Sequence, residues 1–137
     1  QLFKPHLSVA MGKLTAADAP DVPAAGLLEV EVIALDDLAA GAGTAPGLIK
    51  MDIEGGEAAA LRGARRLLRQ AKPILLLELH EAQGAEAGTV FDGLQQMGYE
   101  IRRLARQYPV ITSTAGLGRK AYLLGLPPGG FPVTEDP

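Results

Sequence analysis

The sequence predicts an α/β domain with a mainly parallel sheet and an antiparallel final strand. Short segments rich in Val, Ile and Leu alternate along the chain with longer segments whose apolar residues recur at helical spacing. The most aliphatic of the short segments, residues 74–79, is nearly continuous, which is typical of a strand that is covered on both faces.

The composition limits the classes of function that this chain can have. Its 137 residues suffice for one domain, and a formal net charge of −3 argues against a nucleic-acid surface. The absence of cysteine excludes disulfides and thiolate metal sites, and it favours a reducing, cytoplasmic location. No apolar run approaches the roughly 18 residues of a membrane span, so we expect no membrane segment. Small molecules and protein partners are favoured as ligands.

The beginning of the chain gives weak signals. Residues 1–26 contain three prolines and no sustained period, so we expect an irregular segment with a short strand near residues 7–10. Residues 28–35 alternate and are rich in Val and Ile, which predicts a half-buried strand. Leu28, Val30 and Val32 would lie on its buried face.

The next segment connects this strand to the following one. Asp36 or Asp37 can cap a short helical turn over residues 37–40. The glycine-rich residues 41–47 precede a strand instead of following one, so a flexible connector is favoured over a phosphate-binding loop.

Residues 48–57 (LIKMDIEGGE) are the most informative stretch of the sequence. An apolar run ends in an acid, passes two glycines and enters a segment with helical spacing, which predicts a buried strand, a tight turn and a helix. Asp52, Glu54 and Glu57 crowd this junction. Because open α/β sheets bind their ligands beyond the carboxyl ends of the strands, these carboxylates are the first candidates for a functional site.

The remaining elements follow in order. A helix is expected over residues 56–71, with its arginines outward and a buried stripe formed by Leu61, Ala64, Leu67, Leu68 and Ala71. Glu78 and His80 are two residues apart, so they point to the same side at the end of the strand 74–79. The rest of the chain predicts a helix over 85–97, a strand over 99–104, a polar loop over 106–118, a strand over 120–126 and a frayed tail over 127–137.

Several of these motifs, in this order, resemble the C-terminal part of the FkbM-type methyltransferases. They are residues 30–38 (VEVIALDDL), 49–57 (IKMDIEGGE), Leu61 with Gly63 and Ala64, 73–80 (PILLLELH) and 97–99 (MGY), and the similarity spans about residues 28–126. That family uses S-adenosylmethionine and mostly methylates hydroxyl groups of small molecules and sugars. The resemblance implies a single partial domain over residues 1–137, with the Rossmann-like (class I) methyltransferase fold and a core over residues 28–126.

The resemblance also implies where the cofactor would bind. The family's glycine turn and ribose-binding acid have no counterpart in this sequence and are expected upstream of Gln1. The cofactor-binding residues are therefore unknown, and we expect the segment alone to be inactive.

Methyl transfer to a hydroxyl group requires an aligned acceptor whose proton is removed or masked. We expect Asp52, Glu78 and His80 to line the acceptor side, with His80 or Asp52 as general base, because both end strands that should be adjacent. Glu54 and Gly55 are the predicted substrate contacts. The alternative is structural: Asp52 and Glu54 would accept backbone N–H groups at the helix start, and Glu78 would satisfy buried neighbours.

Other functions and an assembly stay open. Asp52, Glu54 and Glu57, with Glu78 and His80 nearby, could hold Mg²⁺ or Mn²⁺ for hydrolysis or for metal-assisted methyl transfer. The chain could instead be a non-catalytic interaction or assembly module. If it begins at Gln1, the apolar strand 48–53 becomes an open edge, which predicts a homodimer unless the strand 28–35 covers it.

Overall fold

The computed structural model describes residues 2–5, 12–15, 28–29, 31–80, 82 and 84–130. Strands and helices are mixed along these residues, which confirms the α/β class. In chain order the elements are β1 (Leu2–Pro5), β2 (Gly12–Thr15), β3 (Leu28–Glu29), α1 (Leu35–Ala42), β4 (Leu48–Met51), α2 (Glu57–Arg62), α3 (Arg65–Gln70), β5 (Ile74–His80), α4 (Ala85–Gln96), β6 (Glu100–Arg103) and β7 (Lys120–Leu126).

A small antiparallel sheet, with strand order β2-β1-β3, is formed by the first three strands. β1 and β2 lie within residues 1–26, so the expectation that this segment is irregular is wrong for these eight residues. The strand expected near residues 7–10 lies outside the described part of the chain.

The strand predicted over residues 28–35 is much shorter than expected. β3 pairs with β1 through two residues only, and residues 31–34 form no strand. Val32 is 50% exposed, so the prediction that it is buried is wrong, whereas Val30 lies outside the described residues. Alternation of apolar residues produces a strand only where a partner supplies hydrogen bonds, and the described pairing of β3 with β1 extends only to Glu29, opposite Leu2.

The larger sheet has the order β4-β5-β7-β6. β4 and β5 are parallel, and β7 lies between β5 and β6 and is antiparallel to both. The final strand is therefore antiparallel, as predicted. Only one of the three ladders of this sheet is parallel, so a parallel majority is not confirmed.

One face of the larger sheet carries the hydrophobic core. Leu75, Leu77 and Leu79 of β5 are almost fully buried and belong to one cluster with side chains of α2 and α4, such as Leu61 and Phe91. The residues that alternate with them, from Ile74 to His80, are only partly buried. The prediction that this strand is covered on both faces is therefore confirmed for one face, whereas the described residues cover the other face only in part. An aliphatic sequence permits burial but does not require it.

The helix predicted over residues 56–71 is divided into two. α2 ends before Gly63, whose carbonyl oxygen accepts the N–H of Asp36 at 2.8 Å. The carboxylate of Asp36 then accepts the N–H groups of Arg66 (3.0 Å) and Leu67 (2.8 Å) in the first turn of α3. These donors have no partner within the helix, so a residue 30 positions upstream acts as the N-terminal cap.

The later elements agree closely with their predicted ranges. α4 buries Val90 and Leu94 and is followed by Gly98 in the left-handed conformation (φ +82°).

The arginines of α2 and α3 are exposed, and four of the five residues of the predicted stripe are buried: Leu61, Ala64, Leu67 and Leu68. Of the predicted tail, residues 131–137 lie outside the described part. None of the described helices is both long and apolar enough to cross a membrane.

Candidate active site

Five of the predicted site residues meet at one end of the larger sheet. The parallel register pairs Met51 of β4 with Leu77 of β5, so the residue after β4, Asp52, follows alongside Glu78. His80 closes β5, and Glu54 and Glu57 lie in the turn and the first helical residue after β4. The carboxyl ends of two neighbouring parallel strands therefore supply one cluster of side chains, which we call the His80 cluster: Asp52, Glu54, Glu57, Glu78 and His80.

The imidazole of His80 is the centre of this cluster. Its Nδ1 atom lies 3.3 Å from Oε1 of Glu57. Its Nε2 atom lies 3.3 Å from Oε1 of Glu78, 3.4 Å from Oε1 of Glu54 and 4.0 Å from Oδ1 of Asp52. Four carboxylates thus surround one imidazole ring.

Glu57 fixes one side of the ring. This residue is only 3% exposed, and its Oε1 atom also accepts the N–H of Gly55 at 3.2 Å. Because an ionised carboxylate can only accept hydrogen bonds, its contact with His80 is a hydrogen bond when Nδ1 carries the proton. In a neutral ring this tautomer leaves Nε2 as the unprotonated nitrogen.

The Nε2 atom itself is buried and has no hydrogen-bond partner among the residues that the structure describes. Oxygens of Glu54 and Glu78 lie within ion-pair distance of it, yet neither forms a hydrogen bond with it. Buried polar atoms are usually paired in folded proteins, so an unpaired nitrogen at a strand end marks a position where a ligand can bind.

Two lysines lie at the rim of the cluster. Lys120 of β7 forms an ion pair with Glu78, and this hydrogen bond raises the pKa of Lys120 above its ordinary value. The Nζ atom of Lys50 lies 3.5 Å from Oδ2 of Asp52. Among the described residues, the carboxylate of Glu54 has no partner other than His80.

The turn after β4 directs Glu54 toward the imidazole. Glu54 and Gly55 have consecutive positive φ angles of 53° and 96°. A residue with a side chain avoids this region at a cost of roughly 1 to 2 kcal/mol, so the surrounding structure must hold Glu54 there. Gly55, a predicted substrate contact, lies in the same turn and donates its N–H to Glu57.

Two cavities among the described residues lie apart from the His80 cluster. Their volumes are about 430 Å³ and about 550 Å³, and they lie beside α1 and α3. Asp36, Arg66 and Gln70 line both cavities. Asp36 and Arg66 are already paired with each other there. Neither cavity includes a residue of the His80 cluster. The cluster nevertheless brings together more side chains that can transfer a proton or bind a ligand than either cavity does.

Sequence reasoning located the whole His80 cluster but missed its neighbours on β7. Lys120 and Tyr122 lie opposite His80 and Glu78 in the antiparallel register. No local signal links them to the site, because a strand about 40 residues away brings them there.

The comparison with known families is consistent with this site. A family model described as "Methyltransferase FkbM domain" matches residues 14–101, which is more than half of the chain. The matched range contains all five residues of the His80 cluster. No curated protein and no solved structure gives a significant match.

Proposed function

Because the chain belongs to the FkbM methyltransferase family, we propose that it methylates a hydroxyl group of a small molecule or sugar with S-adenosylmethionine as donor. Methyl transfer is the activity at the level of the family. The acceptor class, the donor and the residue roles below are our proposal. The observation that carries it is the convergence of one imidazole and four carboxylates at the ends of β4 and β5.

The described residues fit the acceptor side of this reaction. S-adenosylmethionine, when bound, supplies a methyl group on a positively charged sulfur. The cluster consists of polar, oxygen-rich side chains, and the cavities along α1 and α3 are remote from it. The roles that we assign therefore concern the acceptor hydroxyl and its proton.

His80 is the favoured general base. Its Nε2 atom is buried and has no hydrogen-bond partner in the described part of the chain, so it could accept the proton of a hydroxyl group that enters the cluster. Glu57 holds the opposite nitrogen and would stabilise the imidazolium that forms. This pairing of a base with an orienting carboxylate is a general arrangement in enzymes that remove a proton from a hydroxyl group.

The more exposed acids would position the acceptor. Asp52, whose side chain is 34% exposed, and Glu54 lie where the turn opens to solvent. Carboxylate oxygens accept hydrogen bonds from hydroxyl groups, which a sugar offers in several directions. Asp52 is also the alternative base, since its carboxylate lies on the same side of the ring as Nε2.

The test uses the protein in its full natural length and a methyl donor with a labelled methyl group. We expect labelled product from at least one member of a panel of sugars and small alcohols. Because general acid–base catalysis contributes about 10²-fold or more, His80→Gln should lower turnover by at least about 100-fold. Glu86→Gln changes an exposed acid in the first turn of α4 and should leave turnover unchanged.

Two outcomes would contradict the proposal in different ways. If no hydroxyl compound is methylated, a non-catalytic interaction module becomes the better description of this chain. If product forms but the variants His80→Gln and Asp52→Asn both retain full turnover, neither residue is the general base.

A further inference from the structure

We propose that Asp52, Glu54 and His80 form a binding site for one divalent cation, of which Mn²⁺ is the best probe and Mg²⁺ the closest substitute. The ion's role toward an acceptor hydroxyl rests on the proposed function. The binding site itself rests on geometry and can be tested without any methyl transfer.

The three ligand atoms are close enough to share one ion. One oxygen from each acid and one ring nitrogen all lie within 4.8 Å of one another. The Nε2 atom of His80 is 3.4 Å from Oε1 of Glu54 and 4.0 Å from Oδ1 of Asp52. Ligand atoms that each lie about 2.1 Å from an ion are about 3.0 Å apart at a right angle and about 3.4 Å apart at a tetrahedral angle. Small side-chain rotations would therefore complete the site.

His80 distinguishes this cluster from an ordinary group of acids on a protein surface, because its ring is held in place and one of its nitrogens lacks a partner in the described part of the chain. Its Nε2 atom is buried, has no hydrogen-bond partner among the described residues, and lies 3.4 Å from Oε1 of Glu54 and 4.0 Å from Oδ1 of Asp52. A histidine that binds a metal commonly donates its other N–H to a carboxylate, which fixes the ring and its tautomer. Glu57 lies in that position, is almost fully buried, and is held in place by the N–H of Gly55.

The charges of the cluster favour a cation at this position. Lys50 and Lys120 pair with Asp52 and Glu78, which leaves Glu54 and Glu57 without a lysine or arginine beside them in the described part of the chain, and of these two Glu57 already accepts the N–H of Gly55. Carboxylates that face one another repel unless a proton or a cation lies between them. Asp52 faces His80 with Oδ1 and Lys50 with Oδ2, whereas the same oxygen of Glu78, Oε1, faces both His80 and Lys120, so we do not assign Glu78 as a ligand.

The ligand types select the class of metal. Two carboxylate oxygens and one imidazole nitrogen suit Mn²⁺, which accepts both kinds of ligand, and less readily Mg²⁺. Asp52 is partly exposed, so the remaining coordination positions are open to water or to a hydroxyl group. A cation in this place would bind the Nε2 lone pair that the metal-free mechanism assigns to the acceptor proton, so with the ion bound the hydroxyl group would instead be activated by coordination to the metal.

The experiment is a titration of the chain with Mn²⁺ in the absence of methyl donor and acceptor. Electron paramagnetic resonance of free Mn²⁺ and calorimetry should both give one ion per chain. Glu54→Gln and Asp52→Asn each replace a charged ligand by a neutral amide, and Glu57→Ala removes the group that fixes the ring. Each should weaken binding by about 10-fold or more, a loss that even outer-shell partners of a metal site produce. Glu86→Gln is the matched control and should bind as the parent does, and circular dichroism verifies that every variant is folded.

The outcomes separate this inference from the proposed function. If the folded chain binds no Mn²⁺, or if Glu54→Gln and Glu86→Gln weaken binding equally, the metal site is wrong, whatever the methylation assay shows. If Mn²⁺ binds with the expected dependence on Glu54 but no hydroxyl compound is methylated, the site stands and the proposed acceptor chemistry fails.

Discussion

At the scale of single residues, Asp36 connects two parts of the chain. Burial acts to raise the pKa of Asp36, but the hydrogen bonds from the N–H groups of Leu67 and Arg66, with the charge of Arg66, hold this pKa below its ordinary value. The ionised carboxylate therefore stabilises the folded protein. This contribution is fully present above the unfolded pKa near 3.8 and is lost as the pH falls through the lower folded pKa.

Asp36→Ala should consequently destabilise the protein in a pH-dependent manner. We expect the free energy of unfolding at pH 7 to fall by about 1 kcal/mol, the typical effect of removing a helix cap. The difference between variant and parent should shrink once the pH is well below 4, where the parent also loses the charge. Urea unfolding at several pH values measures both effects.

The neighbouring acid provides the control for Asp36. The side chain of Asp37 is 77% exposed and lies 3.7 Å from Arg66 without capping a helix. Exposed ion pairs of this kind contribute little, so Asp37→Ala should cost no more than about 0.5 kcal/mol. Equal losses for the two variants would contradict the assignment of Asp36 as the cap of α3.

The candidate site shows what residue patterns reveal and what they do not. Asp52, Glu54 and Glu57 could be located because a strand, two glycines and a helix follow one another in the sequence, and His80 because it ends the next apolar run. The central position of His80 could not be predicted, since it depends on the positive φ angle of Glu54 and on the burial of Glu57. Lys120 could not be predicted either, because its place beside Glu78 follows from the insertion of β7 next to β5.

At the scale of elements, the close packing of β7 on β5 depends on a glycine. A Cβ atom at Gly125 would lie 3.1 Å from Cβ of Leu75 and 3.5 Å from the ring of Tyr99. The Tyr99 ring cannot easily yield, because its hydroxyl group donates to the carbonyl oxygen of Pro73 at 2.9 Å. Burial also raises the pKa of Tyr99 to about 12, so this hydroxyl stays protonated as a donor at neutral pH.

Gly125→Ala and Gly93→Ala should therefore change stability in opposite directions. Overpacking at Gly125 is expected to lower the free energy of unfolding by about 1 to 3 kcal/mol. Gly93 lies inside α4 with nothing within 4 Å of an added Cβ atom, so alanine there should stabilise the helix by up to about 1 kcal/mol. Thermal unfolding of the three proteins gives the comparison. A Gly125→Ala variant as stable as the parent would show that β5 and β7 can separate without cost.

The order of the elements from β4 to β7 was predictable, whereas two boundaries were not. The apolar periods and the flanking Gly and Pro residues define the strands and α4 well. The break between α2 and α3 depends on the hydrogen bonds of Asp36, which no local pattern of residues 56–71 reveals. The described pairing of β3 with β1 covers two residues, and residues 31–34 have no strand partner in the part of the chain that the structure describes.

At the scale of the whole molecule, β4 forms the edge of the larger sheet in the described part of the chain. Leu48 is 56% exposed on this strand, and Lys50 is the one charged side chain among its four residues. Natural sheets usually protect an edge with several charges, a proline or a bulge, because unpaired N–H and C=O groups attract another strand. We therefore expect the 137-residue chain to form homodimers through β4.

Light scattering over a range of concentrations tests this expectation. The measured mass should exceed the 14.3 kDa of one chain and rise with concentration. Leu48→Lys adds a second charge to the edge and should shift the mass toward the monomer, because the added ammonium group would have to lose its hydration on pairing. Val110→Lys changes a similarly exposed residue outside β4 and should leave the dimer intact. A mass of 14.3 kDa at every concentration, with cooperative unfolding, would instead show that one chain covers its own edge.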